Sequence, residues 1–502
     1  MFQKIFNQCM IDGVFPKPWK RARLVLLRKG NKPADQPLSY HPLCMLDTTG
    51  KLFERIVCNR IEEALDKERT GLAENQYGFR KGRSTIDAIQ RVLTEVTEAG
   101  AGTIYQRQLC VLVTLDVANA FNSASWAEII NAMRNKNVPN LTRLIQNYFR
   151  DREIKYSEEH EAVQLSSGVP QGSVLGPLLW GVMYDSLLTT ETPEGVTMMG
   201  FADVVAIIGR AWRIEHLEEI ISEFLRIANE WIISKKLRLA LHKTEAVMLT
   251  RKRAYHKPTF VLGDQQITTK NSLRYLGVEI DTGRRFAMHE KIVGAKATKT
   301  AQAFSRILLN VGGSTTSKRK LLTSVVHSQF LYAAPIWAPA LGYRPDRNVQ
   351  IKRDTAKHIK SAQRIMALRV SRAYRTVSYE AAILISSMIP IKLLAEERCI
   401  AANSHDKRQA YKEARKCSLC EVDIDDSNHT LFECDAFENW RRQLYGELGC
   451  QLTTGNMIGI MLGEKKTWHL VSPYINRLME HKCEAERMRK VEVERRRESD
   501  NQ

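Results

Sequence analysis

Two aspartates, and a group of three cysteines with one histidine, are the residues of this sequence best suited to chemistry. Asp116 closes the apolar run "VLVTL", and Asp203 stands in "GFADV" (200–204). A carboxylate at the end of a buried strand loses hydration unless a cation or hydrogen-bond donors compensate. Two of them on neighbouring strands would make a hard-oxygen site suited to Mg²⁺. Taken singly, each is an ordinary strand-end or turn residue. The second group is Cys417-x2-Cys420-x8-His429-x4-Cys434. Soft thiolates with one imidazole suit tetrahedral Zn²⁺, and the short first spacing lets two ligands chelate from one turn. The other seven of the ten cysteines read as structural.

These residues need elements to hold them. "RARLVLL" (21–27) reads as a strand, and "GKLFERIVCNRIEEALDK" (50–67) has helical spacing of its apolar positions. An Arg- and Gly-rich loop, "QYGFRKGRST" (76–85), leads into a further helical stretch to about Glu98. "LCVLVTLDV" (109–117) is a buried-strand run, and "WAEIINAMR" (126–134) is helical. "SGVPQGSVLGP" (167–177) is a turn-rich loop before an apolar helix. "VTMMGFADVVAII" (196–208) reads as two short strands around a tight Ala-Asp turn. A periodic amphipathic helix (214–235) follows, then strands around "LRLALHKTEAVML" and "SLRYLGVEI". Strands interleaved with helices predict an α+β or α/β sheet layer backed by helices. From about 286 to 400 the pattern is helical and basic, and the tail 477–502 reads as an exposed, fraying helix.

Bulk properties limit the partners. The chain has 502 residues and a net charge of +19, so about two to four domains and a polyanionic partner are expected. Residues 284 to 375 hold 19 Lys and Arg against three acids, Glu290, Asp346 and Asp354. That concentration predicts nucleic-acid contact, with an anionic membrane surface the weaker option. There is no apolar run long enough for a membrane span and no secretory signal, so an intracellular protein is expected.

The strings "LDVANAFNS" (115–123), "SGVPQGSVLGP", "GFADV", "LALHKTE" (239–245) and "RYLGVEI" (274–280) occur in that order. In this order they resemble the palm of reverse transcriptases from LINE-type, non-long-terminal-repeat retrotransposons, of the Jockey-like and arthropod ribosomal-DNA-inserting kinds. The resemblance takes in "WKRARLVLLRKG", "YHPLCMLDTTGKLFERI" and "NQYGFRKGRST" upstream, and "LYAAPIW" (331–337) and the Cys/His cluster downstream. It implies an α+β right-hand polymerase. Fingers would run over 1–103, truncated at the N-terminus and without a preceding endonuclease, and the palm over 104–285. A helical thumb and connection (286–410), a CCHC zinc knuckle-like module (411–445) and a charged helical tail (446–502) would follow.

The resemblance also implies roles. Asp116 and Asp203 would hold two Mg²⁺ ions for in-line displacement. Phe121 would be the aromatic gate that leaves no room for a 2′-hydroxyl. Gln171, with Gly168, Pro170, Gly172 and Gly176, would form the template- and nucleotide-positioning loop, its amide reaching base or sugar edges. Lys243 would stabilise charge or donate a proton near the leaving pyrophosphate. Arg80, Lys81 and Arg83 suit template-backbone contacts, and Lys29 the triphosphate. The zinc-binding residues would help hold nucleic acid. The implied partners are an RNA template, a DNA primer or target and deoxynucleoside triphosphates, in a nuclear or cytoplasmic ribonucleoprotein.

Three positions depart from the family pattern. Val204 stands where a second aspartate is expected, and an isopropyl group cannot coordinate a metal. His41 replaces an arginine, and Ala118 a lysine or arginine. An impaired RNA-directed DNA polymerase is therefore expected. The alternatives are a catalytically inactive nucleic-acid-binding remnant, or a transcribed fragment with no selected role.

Overall fold

The computed structural model describes residues 2–488, apart from 31–32, 68–70, 158–160, 251–254, 311–312, 343–355, 404–416, 418, 421–428 and scattered positions from 454 onward. Most of the predicted tail lies outside the described residues. The chain divides into two units, Met1–Gly277 with Asp281–Gly283, and Val278–Ile280 with Arg284–Gln502.

The first unit mixes helices and sheets. Its N-terminal helix α1 (Phe2–Asp12) went unread in the sequence. Phe6 of α1 stacks on Phe53, 5.4 Å between centroids, and Phe15 meets Tyr148 edge-on at 5.0 Å. Strands β1 (Arg21–Arg28) and β2 (Tyr40–Leu46) pair antiparallel. Helix α2 (Thr48–Lys67) buries Phe53, Val57, Ile61 and Leu65, whereas Leu52, at the flank of that stripe, is exposed. Helix α3 (Thr85–Ala99) starts at a capping box, in which the Ser84 hydroxyl accepts from the Asp87 amide and the Asp87 carboxylate accepts from Ser84.

Strand β3 (Leu109–Asp116) is buried along its whole length except for Asp116. Helices α4 (Trp126–Asn135) and α5 (Pro139–Phe149) lead to the short strands β4 (Glu153–Lys155) and β5 (Val163–Gln164). The apolar helix α6 (Gly176–Leu188) precedes the hairpin β6 (Val196–Phe201) and β7 (Val204–Ala211). Helix α7 (Ile214–Ser234) buries Leu217, Ile221, Phe224, Leu225 and Ala228 in one stripe. Strands β8 (Glu245–Met248), β9 (Thr259–Leu262) and β10 (Gln265–Lys270) complete a six-stranded sheet of order β6-β7-β3-β8-β10-β9. The strand expected around "LRLALHKTEAVML" is shorter than read: Leu241–Lys243 form a 3₁₀ turn. A second sheet has the order β2-β1-β4-β5.

The second unit is helical, as its pattern predicts. Helices α8 (Ala287–Ile307), α9 (Thr316–Phe330), α10 (Lys357–Ser371), α11 (Tyr379–Ile385) and α12 (Ile391–Asn403) precede the Cys/His segment and α13 (Glu438–Leu448). Helices α8 and α10 approach closely because Gly294 leaves no side chain between them; a Cβ there would overlap that of His358. The buried Glu290 of α8 accepts from the amides of His358 (2.7 Å) and Ile359 (3.0 Å), capping the start of α10 from another helix. No described helix is long and apolar enough to cross a membrane.

Candidate active site and metal centre

Asp116 is the last residue of β3, and the sheet decides what surrounds it. Its direct cross-strand partner on β7 is Val204. The next amide, of Val117, donates to the Asp203 carbonyl at 3.2 Å. On the other side, Ala118 donates to Arg238 and Ala240 to Asp116, each at 2.8 Å. That pairing leads the chain into the 3₁₀ turn, and Lys243 Nζ reaches Asp116 Oδ1 at 2.9 Å. Three charged residues far apart in sequence thus meet at one end of the sheet.

Asp203 is the second residue of the two-residue turn between β6 and β7. The first, Ala202, has φ +58°, a conformation that costs a residue with a Cβ roughly 1–2 kcal/mol. The turn is held from three directions. Trp180 Nε1 donates to the Ala202 carbonyl at 2.9 Å. The Tyr77 amide donates to Gly200 at 2.8 Å, and the Gly200 amide to Asn75 at 2.9 Å. Gly78 lies against the turn itself, where a Cβ would overlap the Ala202 nitrogen. The "NQYG" segment therefore buttresses the turn, a task its glycine permits. Burial pushes the Asp203 carboxyl above the usual range; the Asp116 charge adds to this and Lys243 opposes it. A divalent cation would relieve both the burial cost and the repulsion.

Phe121 is half-buried and held between rings, edge-on to Phe79 at 5.8 Å and tilted against Trp180 at 5.5 Å. It forms a fixed wall beside the turn that Trp180 anchors. The Gln171 loop is tied down through its backbone. Gln171 accepts from the Cys44 amide at 2.7 Å, and Gly172, at φ +115°, lies against the Cys44 carbonyl. The Gln171 side-chain amide makes no hydrogen bond among the described residues.

Sequence reasoning missed Glu54. This carboxylate is only 1% exposed. It accepts from the amides of Val174 (2.6 Å) and Leu175 (3.2 Å) and from the Tyr148 hydroxyl (3.2 Å), at the start of α6. Burial pushes its carboxyl up while the two amides pull it back. Its signal was a charge inside an apolar stripe, one residue after Phe53 and three before Val57.

Residues 28–280 match the profile of the reverse transcriptase (RNA-dependent DNA polymerase) family. The chain belongs to the reverse transcriptase family. A 115 kDa protein of the type-1 retrotransposable element R1DM of Drosophila melanogaster is 28% identical over 78% of this chain and 37% of that protein. The RNA-directed DNA polymerase from mobile element jockey of the same fly is 27% identical over 59% and 33%. This reverse transcriptase thus spans about a third of the length of these curated relatives. Among solved structures, apo telomerase from Candida tropicalis superposes with a TM-score of 0.41 at 8% identity, over 82% of this chain and 74% of that one.

The basic residues of this reverse transcriptase's buttress loop are partly spent on the loop itself. Arg80 donates to the Ala73 carbonyl at 2.7 Å, and Arg83 pairs with Glu74 at 2.5 Å while lying over the Tyr77 ring. Lys81 is exposed. Lys29 follows β1, and its amide donates to Ser39 at 2.7 Å; His41 on β2 pairs with Leu27. His41 therefore lies on the four-stranded sheet and Lys29 just past the end of β1, while Ala118 lies beside Arg238.

In the second unit the ligand atoms of Cys417, Cys420, His429 and Cys434 all lie within 4.8 Å of one another. Cys434 Sγ is 3.9 Å from Cys417 Sγ and 3.7 Å from Cys420 Sγ, and His429 Nε2 is 3.1 Å from Cys420 Sγ. A tetrahedron with Zn–S arms of about 2.3 Å has edges of about 3.8 Å, so the two sulfur pairs that share Cys434 are spaced for Zn²⁺. Burial, and after it the neighbouring thiols, push Cys434 up to about 12, against the pull of the Ala436 amide. Leu431, Phe437, Leu444 and Leu478 pack around the cluster.

Proposed function

We propose that this chain is the RNA-directed DNA polymerase of a non-long-terminal-repeat retrotransposon, weakened by the loss of one carboxylate. The observation that carries the reading is the meeting of Asp116, Asp203 and Lys243 at the end of the six-stranded sheet, with Val204 opposite Asp116. The first unit then supplies fingers to about residue 103 and palm to about 285, and the helical second unit supplies thumb and connection. Partners are an RNA template, a DNA primer and deoxynucleoside triphosphates.

The two carboxylates fit one hard divalent cation, since Mg²⁺ is commonly held by one or two carboxylates with waters. Val204 offers no donor for a second. Bound there, Mg²⁺ would neutralise triphosphate charge and lower the cost of deprotonating a primer hydroxyl. Lys243 places an ammonium at the same carboxylate, able to meet charge on a leaving pyrophosphate. Phe121, clamped between two rings, closes the space a 2′-hydroxyl would need. Gln171 presents a free amide from a loop whose backbone Cys44 and Glu54 hold. Cys417, Cys420, His429 and Cys434 would hold Zn²⁺ and fix a small module after the helices.

The second reading is a nucleic-acid-binding remnant without catalysis, and Val204 is the observation that favours it. Primer extension on an RNA template with Mg²⁺ separates the two. The natural chain is expected to extend weakly and Asp203→Ala not at all. A natural chain that stays silent even as Val204→Asp would overturn the polymerase reading.

A further inference from the structure

Between α8 and α10 the second unit opens a cleft of about 800 Å³, within the range of sites that take small molecules. Arg306, Arg364, Arg369 and Arg375 line it, with the amides of Gln302 and Asn310, and none of its lining residues among those described is acidic. Ile365 and Leu368 give it an apolar floor. The four guanidiniums are not equivalent. Arg364 is pinned, donating through Nε to the Val377 carbonyl at 3.0 Å and through Nη2 to Arg375 at 2.5 Å. Arg369 donates to Asn310 Oδ1 at 2.8 Å. Arg306 and Arg375 are exposed and have no side-chain partner among the described residues.

The walls are fixed from behind. The fully buried Arg319 donates to the carbonyls of Ser314 (2.9 Å), Arg369 (2.7 Å) and Leu309 (2.5 Å), which ties together the C-terminal ends of α8 and α10. Burial, then the like charges of Arg372 and Arg369, weaken its hold on its proton. Beside the cleft, between Ala373 and Arg375, Tyr374 is 80% exposed. Clustered guanidiniums, an apolar floor and an exposed ring match the needs of a nucleotide out of its stack: phosphate paired by arginine, base on apolar or aromatic surface.

We propose that this cleft binds one unstacked nucleotide of a single-stranded nucleic acid, its phosphate between Arg306 and Arg375 and its base toward Ile365, Leu368 and Tyr374. A continuous duplex keeps its bases stacked and would meet only the arginines. The proposal rests on reading this chain as a nucleic-acid-handling protein, and not on its polymerase activity.

The test is fluorescence anisotropy of the full chain with a short labelled oligoadenylate and with a blunt duplex of the same length. Arg306→Ala and Arg375→Ala remove cleft charge without breaking an internal hydrogen bond, and Arg60→Ala, exposed on α2, is the control. Each cleft variant is expected to weaken single-strand binding about tenfold, and to reduce the slope of log affinity against log salt by about 0.7. Tyr374→Ala should weaken the single strand about tenfold and the duplex less than twofold. Equal losses on both ligands in Tyr374→Ala would overturn the proposal. So would loss no greater than in Arg60→Ala, or displacement of the oligonucleotide by polyglutamate as well as by unlabelled oligoadenylate. Cleft variants that bind normally while Val204→Asp still extends primers would refute the cleft and leave the polymerase reading standing.

Discussion

Asp116 and Val204 stand directly opposite one another on adjacent antiparallel strands. Residues so paired project to the same face, with Cβ atoms about 4.5–5.5 Å apart. An aspartate at 204 would therefore bring its carboxylate to the face that Asp116 already occupies. Val204→Asp is expected to add a second bound Mn²⁺ in a spin-resonance titration, and to raise primer extension by about 10²–10³. Unchanged metal stoichiometry would show that the site lacks more than one ligand.

Glu54 predicts a division between fold and loop. Glu54→Ala leaves the amides of Val174 and Leu175 buried without an acceptor, at a cost of about 2–4 kcal/mol. Glu54→Gln retains an acceptor and should recover most of that loss in urea denaturation. In a Val204→Asp background, Glu54→Gln is expected to raise the nucleotide KM more than it lowers kcat, because the Gln171 loop shifts while the carboxylates stay. A fall in kcat alone would contradict a positioning role.

His327 predicts acid sensitivity of the helical unit. Burial lowers its pKa from 6.5 to about 4. Its Nε2 lies 3.3 Å from Gln363 Nε2. The Gln363 amide cannot turn over, because its oxygen accepts from the Tyr379 hydroxyl (2.6 Å) and the Ile391 amide (3.0 Å). His327 must therefore accept, and protonation would set donor against donor. With the folded pKa below the unfolded one, the unfolded chain binds the extra proton. Stability is complete above about pH 6.5 and is lost as pH falls toward about 4. Thermal melts across that window should show the loss, and His327→Gln should flatten it; an identical slope in the variant would refute the assignment.

The Cys/His cluster predicts one zinc per chain by elemental analysis. Chelation should lower the melting temperature of the second unit and leave the first unchanged. Cys420→Ser is expected to weaken metal binding by tenfold or more, whereas serine at the cysteines outside the cluster should leave metal content unchanged. Full metal content after that substitution would exclude Cys420 as a ligand.

The readable parts of this chain were those where one physical signal dominated. Strand β3 announces itself by an unbroken apolar run, α7 by an apolar stripe, and the β6–β7 turn by short strands on either side. Strands β9 and β10 went unread because β10 alternates polar residues over a mostly exposed surface, "QQITTK", and its hairpin turns on Gly263-Asp264 rather than on a stronger turn pair. Asp116 and Asp203 were legible through their flanking strings, and Lys243 through its motif, although it sits in a 3₁₀ turn and not a strand. Glu54 was not, because a glutamate in a helix ordinarily faces water. The cleft arginines were legible only as a regional charge excess, since α8 and α10 are about 50 residues apart and only folding joins them.

Valine at position 204 begins a strand, where a β-branched side chain is at home. A valine in place of an aspartate there would remove a carboxylate without loosening the sheet. Cellular proteases and chaperones sort chains by how often they unfold, so a change that leaves the sheet's stability intact would pass them unnoticed. On the proposed reading, a catalytic lesion of this kind would leave the fold's abundance unchanged, and the chain carrying it would compete with intact copies for the same nucleic acid.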